Sequence, residues 1–413
     1  MQASLRSLAR DLIALMLLVL ALPVLAQNYD FVADSVNCIE LNGDDWSTLR
    51  KALKNAKSWN DGKFQVVQIG DSHIQPDIMT AQVRNSMQDK WGNGGRGLIP
   101  AFNLAKTNEP RDYVLKSSTA VDDYSRLMGR NWTTDMGLTG VAVRFDTAYT
   151  ELFIRAKSSG DEFTRVTLLH APKGGYETAK VGGKVFFARE LSPWAQQFKL
   201  EAATDTVRMG VPCGSDFYGA ILANDRRGVM VHSIGNNGAT YRTYCKVSDF
   251  GQQMQVLQPQ LVIISLGTNE AAGNPDGMES YITRLIADIR KHNPKAKFLL
   301  TTPMEFEMRK SHKVAQQVRV GKRKKARYKT VYKTVSSYAV IDNAQRVRQL
   351  ILDYGRQHKI ATWDLYAVAG GRGACSKWVA AGLMNPGDHL HQLPAGYELQ
   401  GRLLARALMQ VLQ

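Results

Sequence analysis

Five short runs of apolar, largely β-branched residues constrain the fold of this chain more than any other feature. Each run is continuous rather than alternating, which is typical of parallel strands that are buried on both faces. The runs cover residues 64–69, 228–233, 261–266, 297–301 and 360–364. Helical periodicity separates or follows them, at about 78–90, 277–292, 340–358 and 395–412. We therefore predict an α/β fold in which helices flank a parallel sheet of about five strands.

The segment between the first two runs is much longer than a single crossover helix requires. From Gly140 to Leu222 it alternates apolar with polar residues and is interrupted by glycine-containing turns. Several strands with this spacing are typical of a β-sandwich or jelly roll. We predict that such a domain occupies residues 105–225 and is inserted into an α/β domain made of residues 27–104 and 226–413.

Residues 1–26 have the pattern of a secretory signal peptide. Arg6 and Arg10 precede an apolar run from Leu12 to Ala26, which is shorter than a membrane-spanning helix needs. The pattern predicts export to the periplasm or the exterior, with membrane or wall association left open.

All four cysteines follow this segment, and an oxidising compartment permits two disulfides in any of three pairings. None of them forms a C-x-x-C pair, so the sequence favours neither zinc binding nor thiol redox chemistry. The cysteines are Cys38, Cys213, Cys245 and Cys375.

The formal net charge of +16 is concentrated in one place. Eleven Lys or Arg residues and no acidic residue lie between Arg309 and Lys333, in the connection after the fourth predicted strand. Export argues against nucleic acid as the partner, although Tyr328 and Tyr332 stand among the charges. Two interpretations stay open for residues 309–333: a solvated loop, or a segment attracted to an anionic wall polymer or membrane surface.

Two motifs follow the first two predicted strands. Gly70-Asp71-Ser72-His73 places a serine at a strand-to-helix turn, where open α/β folds hold their sites; a helix-capping serine is the alternative. The second motif, at residues 232–239, contains Gly235 and Gly238, either of which could bring a backbone N–H close to an oxyanion.

Two further motifs lie later in the chain. Asn269, directly after the third predicted strand, is a candidate oxyanion donor, although a turn asparagine is a common alternative. Asp388 precedes His391 by three residues, a spacing that lets the carboxylate reach the imidazole and fix its tautomer. His389, adjacent to Asp388, is better explained as a packing or surface residue.

Together these motifs resemble the SGNH (GDSL-type) hydrolase superfamily. The resemblance implies a flavodoxin-like SGNH hydrolase fold, with Ser72 as nucleophile, His391 as base and Asp388 as its partner. It also implies an oxyanion hole formed by Ser72, Gly238 and Asn269. The implied mechanism requires no metal or other cofactor. The first motif is GDSH rather than GDSL, and the third is GTNE rather than GxND. These departures, the β insertion and the signal sequence resemble the periplasmic peptidoglycan O-acetylesterase branch.

The resemblance predicts a serine esterase that removes O-acetyl groups from a wall polysaccharide, with peptidoglycan as the leading candidate. A polysaccharide O-acetyltransferase would need the same triad, and a non-catalytic glycan-binding wall protein is the alternative outside enzymes. Aromatic residues of the insertion could stack on sugar rings, although most such residues are core. The candidates are Trp132, Tyr176, Phe186, Phe187 and Trp194.

Overall fold

The computed structural model describes residues 29–56, 62–147, 150–172, 178–321 and 327–413. The predicted signal peptide at 1–26 and the candidate aromatic Tyr176 lie outside these ranges. Within them, every helix is too short or too polar to cross a membrane.

The secondary structure alternates strands and helices at both ends of the chain and is almost purely β in the middle. The strands are β1 (Ile39–Glu40), β2 (Lys63–Gly70), β3 (Gly97–Pro100), β4 (Tyr113–Ser117), β5 (Tyr124–Arg126), β6 (Val141–Phe145), β7 (Thr150–Ala156), β8 (Phe163–His170), β9 (Thr178–Val181), β10 (Lys184–Phe187), β11 (Arg189–Ser192), β12 (Ala195–Thr204), β13 (Thr206–Val211), β14 (Ser215–Ala223), β15 (Gly228–Gly235), β16 (Leu261–Ser265), β17 (Lys297–Thr301), β18 (Glu307–Val320), β19 (Arg327–Val340) and β20 (Ala361–Trp363). The α-helices are α1 (Ser47–Ala56), α2 (Ile78–Trp91), α3 (Tyr241–Tyr244), α4 (Phe250–Gln253), α5 (Thr268–Ala272), α6 (Met278–His292), α7 (Asn343–His358), α8 (Leu365–Val368), α9 (Ala374–Ala380) and α10 (Pro394–Val411).

The central sheet has six strands in the order β1-β20-β17-β16-β2-β15. The last five are parallel to one another, and only β1 at the edge runs antiparallel. The predicted α/β fold with about five parallel strands is thus confirmed. Strand β1 was not predicted, because two residues are too few to show a hydrophobic period.

Helices cover both faces of the central sheet. On one face α1, α2, α9 and α10 pack against residues such as Val66 and Ile263, and on the other α6 and α7 pack against residues such as Val67 and Ile264. Adjacent strand residues point to opposite faces, so both must be apolar. This explains why the strands appear in the sequence as continuous apolar runs.

The middle of the chain forms two antiparallel sheets packed face to face. One has five strands in the order β10-β9-β13-β7-β4, and the other has the order β11-β12-β8-β14-β6-β5, with β3 also paired to β14. Their inner faces share one apolar cluster that includes Tyr113, Ile154, Phe198 and Phe217. The sandwich therefore begins with β3, ahead of the boundary predicted at residue 105.

The sandwich and the central sheet also share a core. One apolar cluster joins Leu98, Leu138 and Tyr218 of the inserted segment to Val67 and Ile234 of the central sheet. Buried His232 strengthens the junction: its Nδ1 accepts the Leu98 N–H at 3.1 Å, and its Nε2 faces Gln65 Oε1 at 2.9 Å. The insertion is therefore packed onto the α/β layer rather than linked to it by a flexible tether.

The basic segment is not the solvated loop offered as one interpretation. Its described residues form a two-stranded antiparallel hairpin of β18 and β19, paired from Glu307↔Val340 to Val320↔Arg327. Valines and tyrosines recur at every second or fourth position, a period that suits strands. The charged residues between them make this spacing difficult to recognise in the sequence.

No disulfide joins the described cysteines, and all four thiols are free. Each thiol has a neighbour of another kind: Cys38 Sγ lies 3.5 Å from Glu40 Oε1, and Cys213 Sγ lies 3.3 Å from the Asp146 carbonyl oxygen. Cys245 Sγ lies 3.5 Å from the Tyr281 carbonyl oxygen. The two bridges that an oxidising compartment would permit are therefore not formed in this structure.

Candidate active site

The serine of the first motif stands on a tight turn at the carboxyl edge of the central sheet. Strand β2 ends at Gly70, where a Cβ atom would lie 2.2 Å from Ile74 Cγ1, so this position requires glycine. The chain then turns through residues 71–77 before α2 begins, and Ser72 is half-buried at the start of the turn. The side chain thus lies where parallel strands place their ligands.

Ser72, His391 and Asp388 form one hydrogen-bonded chain. Ser72 Oγ lies 2.9 Å from His391 Nε2, and His391 Nδ1 lies 2.9 Å from Asp388 Oδ2. The acidic partner fixes the tautomer: Nδ1 carries the proton, so Nε2 can accept the proton of the serine hydroxyl. The structure brings together three side chains separated by up to 319 positions in the sequence.

The carboxylate of Asp388 is held ionised by its surroundings. Partial burial opposes ionisation, but hydrogen bonds from the His391 ring and from two backbone N–H groups outweigh it and lower the pKa of Asp388 below its ordinary value. Those N–H groups belong to Leu390 at 2.9 Å and His391 at 3.0 Å, and both reach Oδ1. The Asn385 side chain donates to Oδ2 at 3.2 Å. The carboxylate therefore stays charged opposite the imidazole.

Two backbone N–H groups near the serine have no acceptor among the described residues: those of Ser72 and Gly238. Gly238 has φ 78°, which favours glycine, and its Cβ position faces Met128 at 3.5 Å. Gly235, the alternative in the same motif, is buried at the end of β15, where a Cβ would fall 2.1 Å from the Gln75 nitrogen. Gly235 therefore serves close packing, whereas Gly238 is only half-buried.

Asn269 lies in the first turn of α5, with its amide between the first two motifs. Its Nδ2 donates to the Ala239 carbonyl oxygen at 3.0 Å and to Asp71 Oδ2 at 3.3 Å. The shorter bond holds the amide beside the Gly238 turn. The longer bond is the weaker of the two.

Gln75 is a buried residue of the site that the sequence did not single out. Its Oε1 accepts the Asn237 N–H at 2.7 Å, while its Nε2 donates to Asn108 Oδ1 at 2.8 Å and Thr107 Oγ1 at 2.9 Å. One side chain thus joins the Ser72 turn, the Gly238 turn and the inserted segment. No local pattern marks this residue, since its partners come from distant parts of the chain.

Glu270, the departure from the usual third motif, supports the same turn. Its Oε1 accepts the Tyr241 N–H at 2.8 Å, two residues after Ala239. Burial raises the pKa of Glu270 to about 7, and a smaller contribution from Asp71 acts in the same direction. The acidic side chain is therefore a structural acceptor rather than an exposed turn residue.

Of the residues on either side of the serine, Asp71 is buried and His73 is half-buried. Burial raises the pKa of Asp71 to about 7, although Oδ1 accepts the His73 N–H at 2.9 Å. Burial and the neighbouring His391 lower the pKa of His73 to about 4, and its Nδ1 lies 2.8 Å from Gln392 Oε1. His73 is therefore neutral at physiological pH and adds no positive charge beside His391.

One group of side chains in the described residues has the composition of a metal site: Glu307, Cys375 and His389, with ligand atoms within 4.8 Å of one another. These groups already bind each other. Glu307 Oε2 lies 2.7 Å from His389 Nδ1, and the Cys375 thiol, whose pKa burial raises to about 12, lies 3.4 Å from the His389 carbonyl oxygen. The donor set therefore fits an internal hydrogen-bonded cluster better than a cation site. His389 packs flat on Tyr338, in agreement with its prediction as a packing residue.

The candidate aromatics of the insertion differ in exposure. Trp132 and Trp194 are partly buried against the core shared with the central sheet, and Phe186 packs on the core of the sandwich. Phe187 is 78% exposed, but it lies on β10, at the edge of the five-stranded sheet. Packing thus accounts for three of the four described candidates.

Comparisons with known proteins agree with this geometry. The model of the GDSL-like Lipase/Acylhydrolase family matches residues 203–399, a region that contains Gly238, Asn269, Asp388 and His391 but not Ser72. No curated protein sequence matches the chain significantly.

A solved structure of a peptidoglycan O-acetylesterase in action is similar to this chain over 91% of its length and 99% of the other chain, with 22% identity and a TM-score of 0.72. A protein from Bacillus subtilis matches 73% of this chain and 90% of its own, with 11% identity and a TM-score of 0.33. A catalytic mutant of an acetylxylan esterase from Geobacillus stearothermophilus matches 45% of this chain and 73% of its own, with 14% identity and a TM-score of 0.28. The last two scores are too low to support an argument.

The family-model match and the shared fold agree with the four motifs. The chain has the SGNH hydrolase fold, and the resemblance to that superfamily predicted from its four motifs is confirmed.

Proposed function

We propose that this protein is an exported serine esterase that removes O-acetyl groups from a cell-wall polysaccharide, peptidoglycan being the preferred substrate. The observation that carries the proposal is the Ser72–His391–Asp388 chain, with 2.9 Å at each step. This arrangement suits acyl transfer, because an activated hydroxyl stands beside a base whose orientation is fixed.

In the proposed reaction His391 Nε2 accepts the Ser72 proton while Oγ attacks the acetyl carbonyl carbon. The resulting oxyanion accepts hydrogen bonds from the N–H groups of Ser72 and Gly238, and Asn269 Nδ2 turns from Asp71 toward it. His391 then returns the proton to the departing sugar oxygen, leaving an acetyl-serine. The same imidazole next activates a water molecule, which releases acetate and restores the serine hydroxyl.

Space for a polymeric substrate exists beside the Gly238 turn. A cleft of about 240 Å³ lies between the two parts of the molecule and is lined by Gln75 and Asn237 on one side and by Arg126 and Met128 on the other. A polar cleft with one guanidinium suits a hydroxyl-rich sugar that carries an acidic substituent. The similarity to a peptidoglycan O-acetylesterase points to the same polymer.

Acetate release from three substrates tests the proposal: O-acetylated peptidoglycan, acetylated xylan and a small aryl acetate. The wild type should act fastest on peptidoglycan, and Ser72→Ala should act on none of them. Equal rates on all three would remove the peptidoglycan preference. Acetylated sugar formed at the expense of free acetate when acceptor glycan is added would identify an acetyltransferase instead.

Covalent labelling distinguishes an enzyme from an inert binding protein. An organophosphate or sulfonyl fluoride should modify Ser72 in the wild type, and Asp388→Asn should slow the labelling. A wild-type protein that resists both reagents would contradict the catalytic assignment.

A further inference from the structure

We propose that the β18–β19 hairpin is a binding arm for an anionic, carboxylate-bearing glycan polymer, which it holds beside the active site. The proposal rests on the proposed function, since the polymer would be the same wall glycan whose acetyl esters Ser72 hydrolyses. It adds a second binding surface to that function, outside the cleft and on a different element.

The arm is long and unsupported. Each strand has 14 residues, and at about 3.4 Å per residue in antiparallel strands the paired region extends about 48 Å. Almost every residue is exposed, including Val314, Val331 and Tyr332. A lone two-stranded hairpin is only marginally stable in water, so a ligand that covers it would stabilise it.

Charge identifies the class of ligand. The described strands carry seven cations, and four more lie in the sequence at 322–325, outside the described residues. None of the seven makes an ion pair with any described carboxylate. They are Arg309, Lys310, Lys313, Arg319, Arg327, Lys329 and Lys333. All seven are thus available to an anionic partner.

The register favours a polymer over a lipid surface. On one face valines lie directly opposite cations, as in Val314↔Lys333 and Val318↔Lys329, so charged side chains interrupt the apolar surface that this face could bury in a bilayer. On the other face Arg319 lies opposite Tyr328, whereas Tyr332 lies opposite Ala315. Tyr328 is 73% exposed and Tyr332 66% exposed, which presents flat ring faces suited to sugar rings beside charges suited to carboxylates.

Charge argues against a second copy of this chain as the binding partner of the arm. Two hairpins meeting edge to edge would bring eleven cations on each together with no acidic residue to offset them. Cationic side chains on an exposed edge are a common means of preventing such pairing.

The base of the arm is fastened to the loop that carries the catalytic acid and base. Tyr338 stacks on His389 with ring centroids 3.7 Å apart, and its hydroxyl donates to the Gly387 carbonyl oxygen. Glu307 donates its N–H to the His389 carbonyl oxygen at 3.1 Å, and its side chain binds the same imidazole. His389 is adjacent to Asp388 and two residues from His391. A polymer bound along the arm would therefore lie next to the loop that carries Asp388 and His391.

The test measures binding without turnover. Sacculi of purified peptidoglycan are stripped of acetyl esters and sedimented with the full chain carrying Ser72→Ala, at low and at high salt. The arm variant combines Lys313→Gln, Arg319→Gln, Lys329→Gln and Lys333→Gln. A matched control removes four exposed cations elsewhere: Lys51→Gln, Lys199→Gln, Lys291→Gln and Lys295→Gln. A thermal unfolding midpoint for each variant shows that the remainder of the chain stays folded.

We expect the arm variant to bind sacculi at least about tenfold more weakly than the parent at low salt, and the control to bind nearly as well as the parent. Equal binding by the arm variant and the parent would overturn the proposal. So would sedimentation of the parent with vesicles of equimolar phosphatidylglycerol and phosphatidylcholine but not with sacculi, which would identify a membrane surface. Acetate release is measured separately, with the wild-type chain and O-acetylated sacculi: a wild-type chain that binds sacculi but releases no acetate would contradict the esterase proposal alone.

Discussion

Gln75 Oε1 accepts the Asn237 N–H at 2.7 Å and so connects the turn that carries the nucleophile to the turn that carries Gly238. The same side chain reaches the inserted segment through Thr107 and Asn108. One buried amide therefore contributes to fixing the relative position of the two turns, which follow the paired strands β2 and β15.

Gln75→Ala should reduce turnover by at least about tenfold, because misplacement of the oxyanion donors by a fraction of an ångström weakens their bonds to the transition state. The measurement is kcat on a small aryl acetate, which needs no contact with the arm. Gln88→Ala is the control. Gln88 lies on α2 and, like Gln75, is buried; its amide donates to the Gly95 and Val229 carbonyl oxygens. A similar loss of turnover in both variants would show that Gln75 acts through general stability.

Asn269→Ala should lower kcat by about a hundredfold or more, with a smaller effect on KM, because the amide is proposed to act mainly on the oxyanion of the transition state. Steady-state kinetics on the aryl acetate measure both constants. Asn293→Ala serves as control: its amide donates to the Gly251 and Ile289 carbonyl oxygens, away from the serine. Near-normal turnover in Asn269→Ala would exclude this residue from the mechanism.

Asp388→Asn should reduce kcat by about 10⁴-fold, because an amide can donate to Nδ1 and so present the wrong imidazole tautomer to Ser72. The lowered pKa of Asp388 keeps the wild-type carboxylate ionised at neutral pH. Asp276→Asn, which removes an exposed partner of Arg346, should leave kcat unaltered. The prediction fails if the Asp388 variant keeps more than a tenth of wild-type activity.

Glu270→Gln should change how stability depends on pH. The pKa of Glu270 rises from 4.5 to about 7 in the folded chain, so its contribution to stability is complete below about pH 4.5 and is lost as the pH rises through about 7. The variant keeps an oxygen for the Tyr241 N–H but cannot ionise. Its free energy of unfolding relative to wild type should therefore increase with pH and level off above about pH 7. Urea unfolding on both sides of that value measures it, and a pH-independent difference would contradict the assignment.

The sheet and the four motifs could be predicted from the sequence because their signals are local. A strand buried on both faces is continuously apolar, and a parallel sheet collects the residues that follow its strands at one edge. For this reason the order of strands and motifs along the chain is enough to predict that Ser72, Gly238 and Asn269 lie together. The spacing of Asp388 and His391 is also local. Their approach to Ser72 depends on the whole fold.

Other features could not be predicted, because their partners are distant in the sequence or their pattern is hidden. Gln75 has no signature apart from its bonds to Thr107, Asn108 and Asn237. Asp71 and Glu270 acquire their raised pKa values only through burial. The hairpin did have a period of two, but eleven cations made the segment resemble a solvated connection.

The apolar cluster that joins Leu98, Leu138 and Tyr218 to Val67 and Ile234 couples the unfolding of the sandwich to that of the α/β layer. Unfolding of either part would expose core residues of the other, so a calorimetric scan should show a single unfolding transition rather than two. Deletion of residues 97–223 would expose apolar surface on the α/β layer. We therefore expect the shortened chain to aggregate rather than remain folded in solution.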